Sequence, residues 1–364
     1  MKGPFVAVTT GLLGGLALLG AACGGAQPAA TPAPASTATP TPAPTQPPAP
    51  TPTPATAGQL VVYSGRAEEL VGPVIRQFSQ ATGIKVQVRY GDTSALAATI
   101  LEEGRNAPAD LFFAQDPGGL GALAGSFVPL PERILSAVEP RFRSPEGRWV
   151  GISGRARTVV YNTRRLSEAD LPDDIWDFTD PKWKGRIGWA PTNGSFQAMV
   201  TGMRALWGEE KTRQWLRGIR ANNPKEYRNN TAIVQAVGAG EVEVGFPNHY
   251  YLFRFLQEQG EAFPARNYHP RAGGPGAMIL VAGAGILNTS RNQEAALRFL
   301  EFLLSPVAQQ YFAGQTFEYP VVPGVTTHRT LVPLAQIKSP NIDVTGLADL
   351  KGTLNLLRET GVLP

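Results

Sequence analysis

The sequence has few of the residues that most metal centres and disulfide frameworks require. Its 364 residues include one cysteine and three histidines. A single cysteine excludes a disulfide framework and any cysteine-rich zinc or iron–sulfur centre. The histidines are His249, His269 and His328, so none forms the closely spaced pair of a zinc hydrolase.

Charge of one sign is not concentrated anywhere in the chain. Lysine and arginine number 33 against 29 aspartates and glutamates, with no block of five like charges. Nucleic-acid-binding proteins gather basic residues on one face, so nucleic acid is excluded as a partner. The apolar content of 43% and the length are typical of a globular protein with room for two domains.

Catalytic motifs are also missing. The run from Gly118 to Gly121 follows a predicted strand, but Ala124 stands where a dinucleotide fingerprint has its third glycine. No G-x-S-x-G elbow occurs, and Glu68 with Glu69 is more simply a solvated first helical turn. We therefore predict that the protein is not an enzyme. A tethered enzyme acting on phosphate esters stays an alternative, although it lacks a nucleophile–base pair.

The first 58 residues are typical of export and tethering. Lys2 precedes an uncharged run from Phe5 to Ala22, and small residues lead to Cys23. This pattern predicts a lipoprotein-type signal peptide over residues 1–22, with Cys23 lipidated. An uncleaved membrane anchor is the alternative, because the run is about as long as the shortest membrane span. Either way we expect the rest of the chain outside the cytoplasm, anchored in the periplasm or at the cell surface.

A linker is predicted over residues 23–58. Residues 24–58 contain 11 prolines and no charge, a composition that favours a semi-rigid polyproline-like spacer. At ~3.1 Å per residue, thirty residues reach on the order of 90 Å. Such a tether suits a domain that moves between a free ligand and a membrane partner, and it equally suits a passive stalk.

From Gln59 onward, short apolar runs alternate with amphipathic segments, which predicts an α/β protein. The predicted strands are 60–64, 85–90, 110–114, 158–161, 186–189, 241–246 and 277–287, and the predicted helices are 68–82, 94–103, 196–207, 211–221, 231–239 and 292–304. The opening β-α-β-α-β order predicts a parallel sheet. Because the pattern recurs downstream, we expect two α/β lobes.

Three polar clusters follow predicted strands, where open α/β sheets bind their ligands. They are residues 63–66 (YSGR), 191–195 (PTNGS) and 248–251 (NHYY). The second cluster precedes a helix, whose first N–H groups attract an anion. In the third, Tyr250 and Tyr251 are either packing residues or, as phenolates, hard anionic ligands for a trivalent cation.

Taken in order, these clusters and other short motifs resemble the substrate-binding proteins of bacterial ferric-iron ABC transporters, members of the type 2 periplasmic binding protein class. The resemblance runs from about Leu60 to Pro364. Its markers are Val62-Tyr63-Ser64-Gly65-Arg66, Thr82-Gly83-Ile84-Lys85-Val86, Pro108-Ala109-Asp110-Leu111-Phe112, Ser153-Gly154-Arg155-Ala156-Arg157, Asp180-Pro181-Lys182-Trp183-Lys184-Gly185, Asn248-His249-Tyr250-Tyr251 and Glu318-Tyr319-Pro320.

The resemblance implies two lobes, each a sheet wound with helices, that close over one ferric ion, Fe(3+), and a synergistic anion, phosphate or carbonate. By position, Tyr250 and Tyr251 match the family's iron-binding tyrosines. The residues that match anion-binding positions are Arg66, Asn193, Gly194, Ser195, Asn230 and Asn248.

The sequence departs from the family at three further ligand positions. Phosphate-using members add a histidine and a glutamate where this chain has Ala67 and Gln115, and other relatives add a tyrosine where it has Phe196. We expect the remaining ligands to come from the anion, from water or from cleft residues such as Glu68 and Gln115, so that iron binds more weakly or as a ferric chelate. The alternative is that the same fold binds an anionic organic solute, a phosphonate, sulfate or carboxylate.

The resemblance also implies how the lobes are divided. Lobe 1 would comprise residues 59–153 plus 281–333, and lobe 2 residues 154–280 plus 334–364. Hinge crossings are expected near 150–154 and 277–281. A monomer of this kind would close on its ligand and then dock on an ABC permease in the membrane.

Overall fold

A computed structural model describes residues 58–342 and 344–364 of the chain. The predicted signal peptide, Cys23 and the proline-rich linker lie outside the described residues. The strands are β1 (Gln59–Ser64), β2 (Lys85–Tyr90), β3 (Leu111–Ala114), β4 (Val150–Ala156), β5 (Val159–Asn162), β6 (Ile187–Trp189), β7 (Lys225–Glu226), β8 (Val244–Gly245), β9 (Ala265–Tyr268) and β10 (Ile279–Ile286). The α-helices are α1 (Glu68–Thr82), α2 (Thr93–Glu103), α3 (Pro117–Ala122), α4 (Glu132–Leu135), α5 (Gly194–Trp207), α6 (Glu209–Ala221), α7 (Asn230–Ala239), α8 (Tyr251–Gln259), α9 (Gln293–Leu303), α10 (Pro306–Gln315) and α11 (Leu350–Glu359).

Helix α1 begins and ends where the sequence predicts. Its apolar residues, among them Val71, Val74 and Phe78, are buried on one face, as their helical spacing requires. Gly83 ends the helix with a left-handed φ of 74°, and its N–H donates to Ser79 O. A residue with a side chain is strained in that conformation, which is why glycine marks this end.

The first sheet has the strand order β2-β1-β3-β10-β4. Strands β1, β2 and β3 are parallel, as predicted, but β10 runs antiparallel to both β3 and β4. The sheet is therefore mixed rather than parallel throughout. The second sheet, in the order β7-β6-β8-β5-β9, is mixed too, because β5 runs antiparallel to β8 and β9 while β6 is parallel to β7 and β8.

The strand predicted over residues 241–246 is wrong in length, because only Val244 and Gly245 belong to β8. Pro247 follows and has no N–H with which to extend the ladder. The chain instead turns into the polar segment 248–251, which leads into α8.

The buried apolar residues form two cores that do not divide strictly along the sheets, because the first core also takes in Val160 of β5 and Ala265 of β9, and two paired strands run between the sheets. The first core includes Phe78, Phe112 and Phe299, and the second includes Trp183 and Trp215. Strands β4 and β10 pair in the first sheet, and only residues 157 and 158 separate β4 from β5 in the second. The predicted lobe limits at 153/154 and 280/281 fall inside these two strands, and they stay a prediction.

Within the described residues, no helix combines the length and the hydrophobicity that crossing a bilayer demands.

Candidate functional site

The structure brings nine of the predicted site residues together between the two sheets. All nine are buried: Arg66, Gln115, Asn193, Gly194, Ser195, Asn230, Asn248, Tyr250 and Tyr251. Arg66 Nη1 donates to Tyr250 Oη at 3.4 Å, and Gln115 Nε2 donates to Asn193 Oδ1 at 3.4 Å. Glu68, the other predicted cleft residue, is exposed in the first turn of α1.

The tyrosine pair occupies the start of α8. The two rings are stacked, with centroids 4.2 Å apart and planes inclined by 29°. Tyr250 is 1% exposed and Tyr251 7% exposed. Burial, and then the neighbouring Tyr250, raises the pKa of Tyr251 well above its ordinary value. A strong Lewis acid is therefore needed to remove this proton and bind the phenolate.

Arg66 connects the tyrosine pair to a buried carboxylate. Its Nη2 forms an ion pair with Glu318 Oε1, and the other carboxylate oxygen accepts from Ser153 Oγ. Burial is the largest single effect and would lower the pKa of Arg66, but the Glu318 carboxylate and the two tyrosines together outweigh it, so the pKa is raised. This guanidinium keeps its charge beside the tyrosine pair, and that charge works against the rise in the pKa of Tyr251.

Of the side chains expected to bind the anion, those of Asn193, Ser195 and Asn230 are hydrogen-bonded to one another, and Arg157 connects them to Asn248. Asn193 caps α5, since its Oδ1 accepts from the N–H of Ser195 at 3.1 Å and from its hydroxyl at 2.6 Å. Asn230 Nδ2 donates to the same hydroxyl at 2.9 Å. Arg157 Nη1 donates both to Ser195 Oγ at 3.1 Å and to Asn248 Oδ1 at 3.0 Å. Asn230 Oδ1, Asn248 Nδ2 and Arg157 Nε have no hydrogen-bond partner among the described residues.

Four charged residues of this site were not among the predicted site residues. Arg155 and Arg157 are 0% exposed, Asp116 is 2% and Glu318 is 0% exposed. Burial, followed by the neighbouring Arg155, lowers the pKa of Arg157 to about 9, and burial raises the pKa of Asp116 to about 6. A signal was present, because two arginines two positions apart interrupt an otherwise uncharged run over residues 149–163.

Two of the three residues that replace the family's further ligands, Ala67 and Phe196, have no side-chain atom that could bind a metal ion. Ala67 is exposed, and Phe196 packs in the second core with its ring 5.5 Å from that of Trp189. His249 accepts at Nδ1 from the Ala156 amide at 3.1 Å and contacts Phe317 O through Nε2 at 2.8 Å. Burial lowers the pKa of His249 to about 3, so the ring is neutral. Its two hydrogen bonds hold the backbone at Ala156 and Phe317 in place.

A separate cavity of about 520 Å³ lies behind this loop. All three histidines line it together with Phe317 and Tyr319, but neither tyrosine of the stacked pair does. Among the described residues no group of three or more His, Cys, Asp or Glu could hold a metal ion. We therefore place the candidate metal centre at the tyrosine pair on chemical grounds and not at this cavity.

Comparison with known proteins gives a consistent set of relatives. Residues 74–338 match the family described as bacterial extracellular solute-binding protein. The major ferric iron-binding protein of Neisseria meningitidis is 35% identical over 312 residues, which cover 83% of this chain and 93% of that protein. Iron-bound HitA from Pseudomonas aeruginosa superposes with a TM-score of 0.80 at 33% identity, over 84% of this chain and 99% of HitA. A Trichodesmium protein in complex with iron and citrate ligands gives 0.70 at 30% identity, over 84% of this chain and 99% of that one.

Proposed function

Because the chain belongs to the bacterial extracellular solute-binding protein family, among relatives that bind ferric iron, we propose that it captures ferric iron with a synergistic anion between two closing lobes and delivers it to an ABC importer. Membership confirms the resemblance found in the sequence, the two-lobed α/β fold class and the prediction that the protein is not an enzyme. It also makes this an exported protein.

The observation that carries the proposal is the stacked pair of buried phenols, Tyr250 and Tyr251, beside the Arg66 guanidinium. Phenolate is a hard anionic ligand suited to Fe³⁺. Two phenolates leave a ferric ion with coordination positions unfilled, and a small oxyanion or a chelate such as citrate could fill them. Phosphate or carbonate would bind near Arg66 and the segment Asn193–Ser195, with Asn230 and Asn248 beside it.

Closure is supported by contacts that join the two sheets. Arg66 reaches Tyr250, Gln115 reaches Asn193, and Arg254 on α8 lies 3.6 Å from Glu69 on α1. In our proposal lobe 1 is 59–153 plus 281–333 and lobe 2 is 154–280 plus 334–364. A ligand that makes contacts with both lobes stabilises the closed form by binding it better than the open form.

The remaining parts of the proposal concern the envelope. We infer that Cys23 carries the lipid anchor, that the linker lets the folded part reach its permease, and that the protein acts as a monomer. Globomycin, which blocks cleavage of lipoprotein signals, tests the anchor in expressing cells: an unprocessed form that appears in wild type only on treatment, and in the Cys23→Ser variant with or without treatment, supports lipidation.

A second candidate ligand is favoured by one observation. Three arginines are buried at the site, Arg66, Arg155 and Arg157, while Ala67 and Gln115 supply no imidazole or carboxylate. An anionic organic solute, such as a phosphonate, sulfate or carboxylate, would match this charge. Iron-free protein stabilised against heat by an organophosphonate, but not by ferric salts, would select this alternative.

The experiment that tests the leading proposal is a visible absorption titration with ferric citrate, with and without phosphate or bicarbonate. We expect a saturable phenolate-to-iron band at one iron per protein. The double variant Tyr250→Phe, Tyr251→Phe should lose it. The control is Tyr268→Phe, whose hydroxyl bonds Asp173 at 2.7 Å outside the tyrosine pair and which should keep the band. Stoichiometric colour in the double variant would refute the proposal.

A further inference from the structure

One buried aromatic residue holds a backbone conformation that its side chain disfavours. Phe317 follows helix α10 with a φ of 56° and is 3% exposed. This left-handed position after a helix is usually occupied by glycine, because a bulky residue is strained there. Such strain persists only where the surrounding contacts enforce it. The contacts of Phe317 therefore indicate why the conformation is kept.

The first contact is to the loop that carries the tyrosine pair. The Ala156 amide donates to His249 Nδ1 at 3.1 Å, so the ring hydrogen is on Nε2. His249 Nε2 then donates to Phe317 O at 2.8 Å. Because His249 immediately precedes Tyr250, this bond fixes the backbone just before the pair.

The second contact is to helix α8, which begins at the pair. The rings of Phe317 and Phe253 are stacked, with centroids 5.0 Å apart and planes inclined by 18°. The Phe253 N–H donates to Tyr250 O at 3.2 Å, so Phe253 lies in the same helical turn as the tyrosines. Phe317 thus contacts the segment on both sides of the pair, before it through the carbonyl and after it through the ring.

The segment that carries Phe317 is itself fixed to strand β4. Tyr319 and Gly154 exchange two backbone hydrogen bonds, at 2.7 and 2.9 Å, and Glu318 accepts a bond from Ser153 Oγ. His249 is bonded to the end of the same strand through Ala156. Because these bonds converge on one strand, they hold the tyrosine loop without a ligand between the tyrosines.

We propose that Phe317 is a positioning residue that holds Tyr250 and Tyr251 in their metal-binding arrangement before iron arrives. Its strained backbone is retained because it brings the carbonyl and the ring to the two ends of this segment at once. This inference rests on the proposed function and adds to it a residue outside the predicted site. Ligands that are already in place lose little freedom on binding, which strengthens the complex.

The test separates the ring of Phe317 from its backbone strain. Phe317→Gly adopts the left-handed backbone without strain and removes the ring, whereas Phe317→Tyr keeps the ring. In a titration of the full-length protein with ferric citrate, Phe317→Gly should bind iron about tenfold more weakly. The maximum of its phenolate-to-iron band should also shift, because the two phenolate oxygens are no longer held in one arrangement. Phe317→Tyr should restore both the affinity and the band.

Two controls distinguish positioning from general loss of stability. Asn223 is the other non-glycine residue with a left-handed φ in the described part of the chain, at 47°, so Asn223→Gly relieves a similar strain between α6 and β7. Phe299→Leu loosens the core that also contains Phe317, at its contact with Phe78. Both controls should keep the wild-type band and affinity, even where the free energy of unfolding falls. A wild-type band and affinity in Phe317→Gly, or the same shift in Phe299→Leu, would overturn the inference.

A readout without iron distinguishes this failure from failure of the proposed function. Iron-free protein labelled with 3-fluorotyrosine is examined by fluorine NMR, and the resonances of Tyr250 and Tyr251 are assigned through their phenylalanine variants. These two resonances should shift or broaden in Phe317→Gly, while that of Tyr90 on β2 stays unchanged. If wild type forms no iron band, the iron proposal fails, and the fluorine resonances still decide the role of Phe317. Unchanged resonances of both tyrosines in Phe317→Gly would refute that role.

Discussion

Gly194 in the second lobe faces the Asp116 carboxylate of the first so closely that a methyl group on Gly194 would lie 2.6 Å from Asp116 Oδ2. The same methyl would lie 3.5 Å from Thr93 Cβ. These contacts cross the cleft. The small size of Gly194 is therefore needed for the two lobes to close, and not for the packing of either lobe alone.

The first prediction follows from that contact. Gly194→Ala should hinder closure and weaken iron binding about 10- to 100-fold, the equivalent of the ~1–3 kcal/mol that overpacking costs. The free energy of unfolding of iron-free protein should stay close to wild type, because the lobes can separate. Ferric titration measures the affinity, and small-angle scattering with iron measures the radius of gyration.

A matched control is available for this change. A methyl group on Gly125 would meet no atom within 4 Å, so Gly125→Ala should keep full affinity and the compact radius. Wild-type affinity in Gly194→Ala would show that the cleft closes with more space between the lobes than the structure has.

The second prediction concerns Asp116. Its pKa is raised to about 6, mainly by burial, so the folded protein resists ionising a carboxyl that the unfolded chain ionises near pH 4. Stability is therefore lost as pH rises from about 4 to 6. From pH 4 to pH 7 the free energy of unfolding should fall in wild type but not in Asp116→Asn. The difference between the two should therefore change by about 2–3 kcal/mol in favour of the variant. Urea unfolding at both pH values measures this.

The control for Asp116 is Asp170, for which the expected change in stability with pH has the opposite sign. Hydrogen bonds from Ser167 lower the pKa of the exposed Asp170, so Asp170→Asn should lose stability relative to wild type as pH rises. Parallel pH profiles for Asp116→Asn and wild type would contradict the buried, ionised state of Asp116.

The third prediction concerns acid sensitivity. Burial lowers the pKa of His249 to about 3 and that of His269 to about 4. The unfolded chain takes up protons at both positions below about pH 6.5 and the folded chain does not, so stability falls as pH drops. Each histidine should lower the free energy of unfolding by about 2 kcal/mol between pH 6.5 and pH 5.

The measurement that tests this prediction is the slope of the free energy of unfolding against pH. Its value at a single pH is not a suitable measure, because His249 also bonds Ala156 and Phe317. His249→Gln and His269→Gln should each flatten the slope, and the double variant should flatten it most. An unchanged slope in the double variant would mean that these rings gain protons without unfolding.

The fourth prediction separates two adjacent glutamates. Glu69 pairs with Arg254 across the cleft at 3.6 Å, with both side chains over one-third exposed. Exposed pairs contribute ~1 kcal/mol or less and are screened by salt, so Glu69→Gln should weaken iron binding less than about fivefold, and less still in high salt. Glu68→Gln should change nothing in the closed form. A greater loss with Glu68→Gln would identify Glu68 as an iron ligand.

The elements that the sequence predicts well are those with a local cause. Helix α1 has apolar residues at helical spacing and ends at Gly83, because glycine adopts a φ of 74° without strain. Strand β8 is shorter than predicted because Pro247 cannot continue the ladder, and β9 was not predicted because its polar residues Arg266 and Asn267 resemble a loop.

At the candidate site, the loops could be predicted and the charge pairing could not. Residues such as Asn193 and Tyr250 follow strands, and strand ends are where ligands bind. Arg66 pairs with Glu318, which is 252 positions away, and no local pattern encodes such a contact. Arg155 looks like the solvent-facing residue of a strand until the fold places another lobe over it.

Both tyrosines come from one loop of one lobe, and this has a consequence for the cell. Each phenol that becomes a ligand gives up its proton, so the capture of one ion releases two protons to the surroundings. The apparent iron affinity of the proposed complex then changes by about a hundredfold per pH unit. Loading is favoured in an alkaline medium and unloading in an acidic one, so the amount of iron that the proposed complex holds depends on the pH outside the cytoplasm.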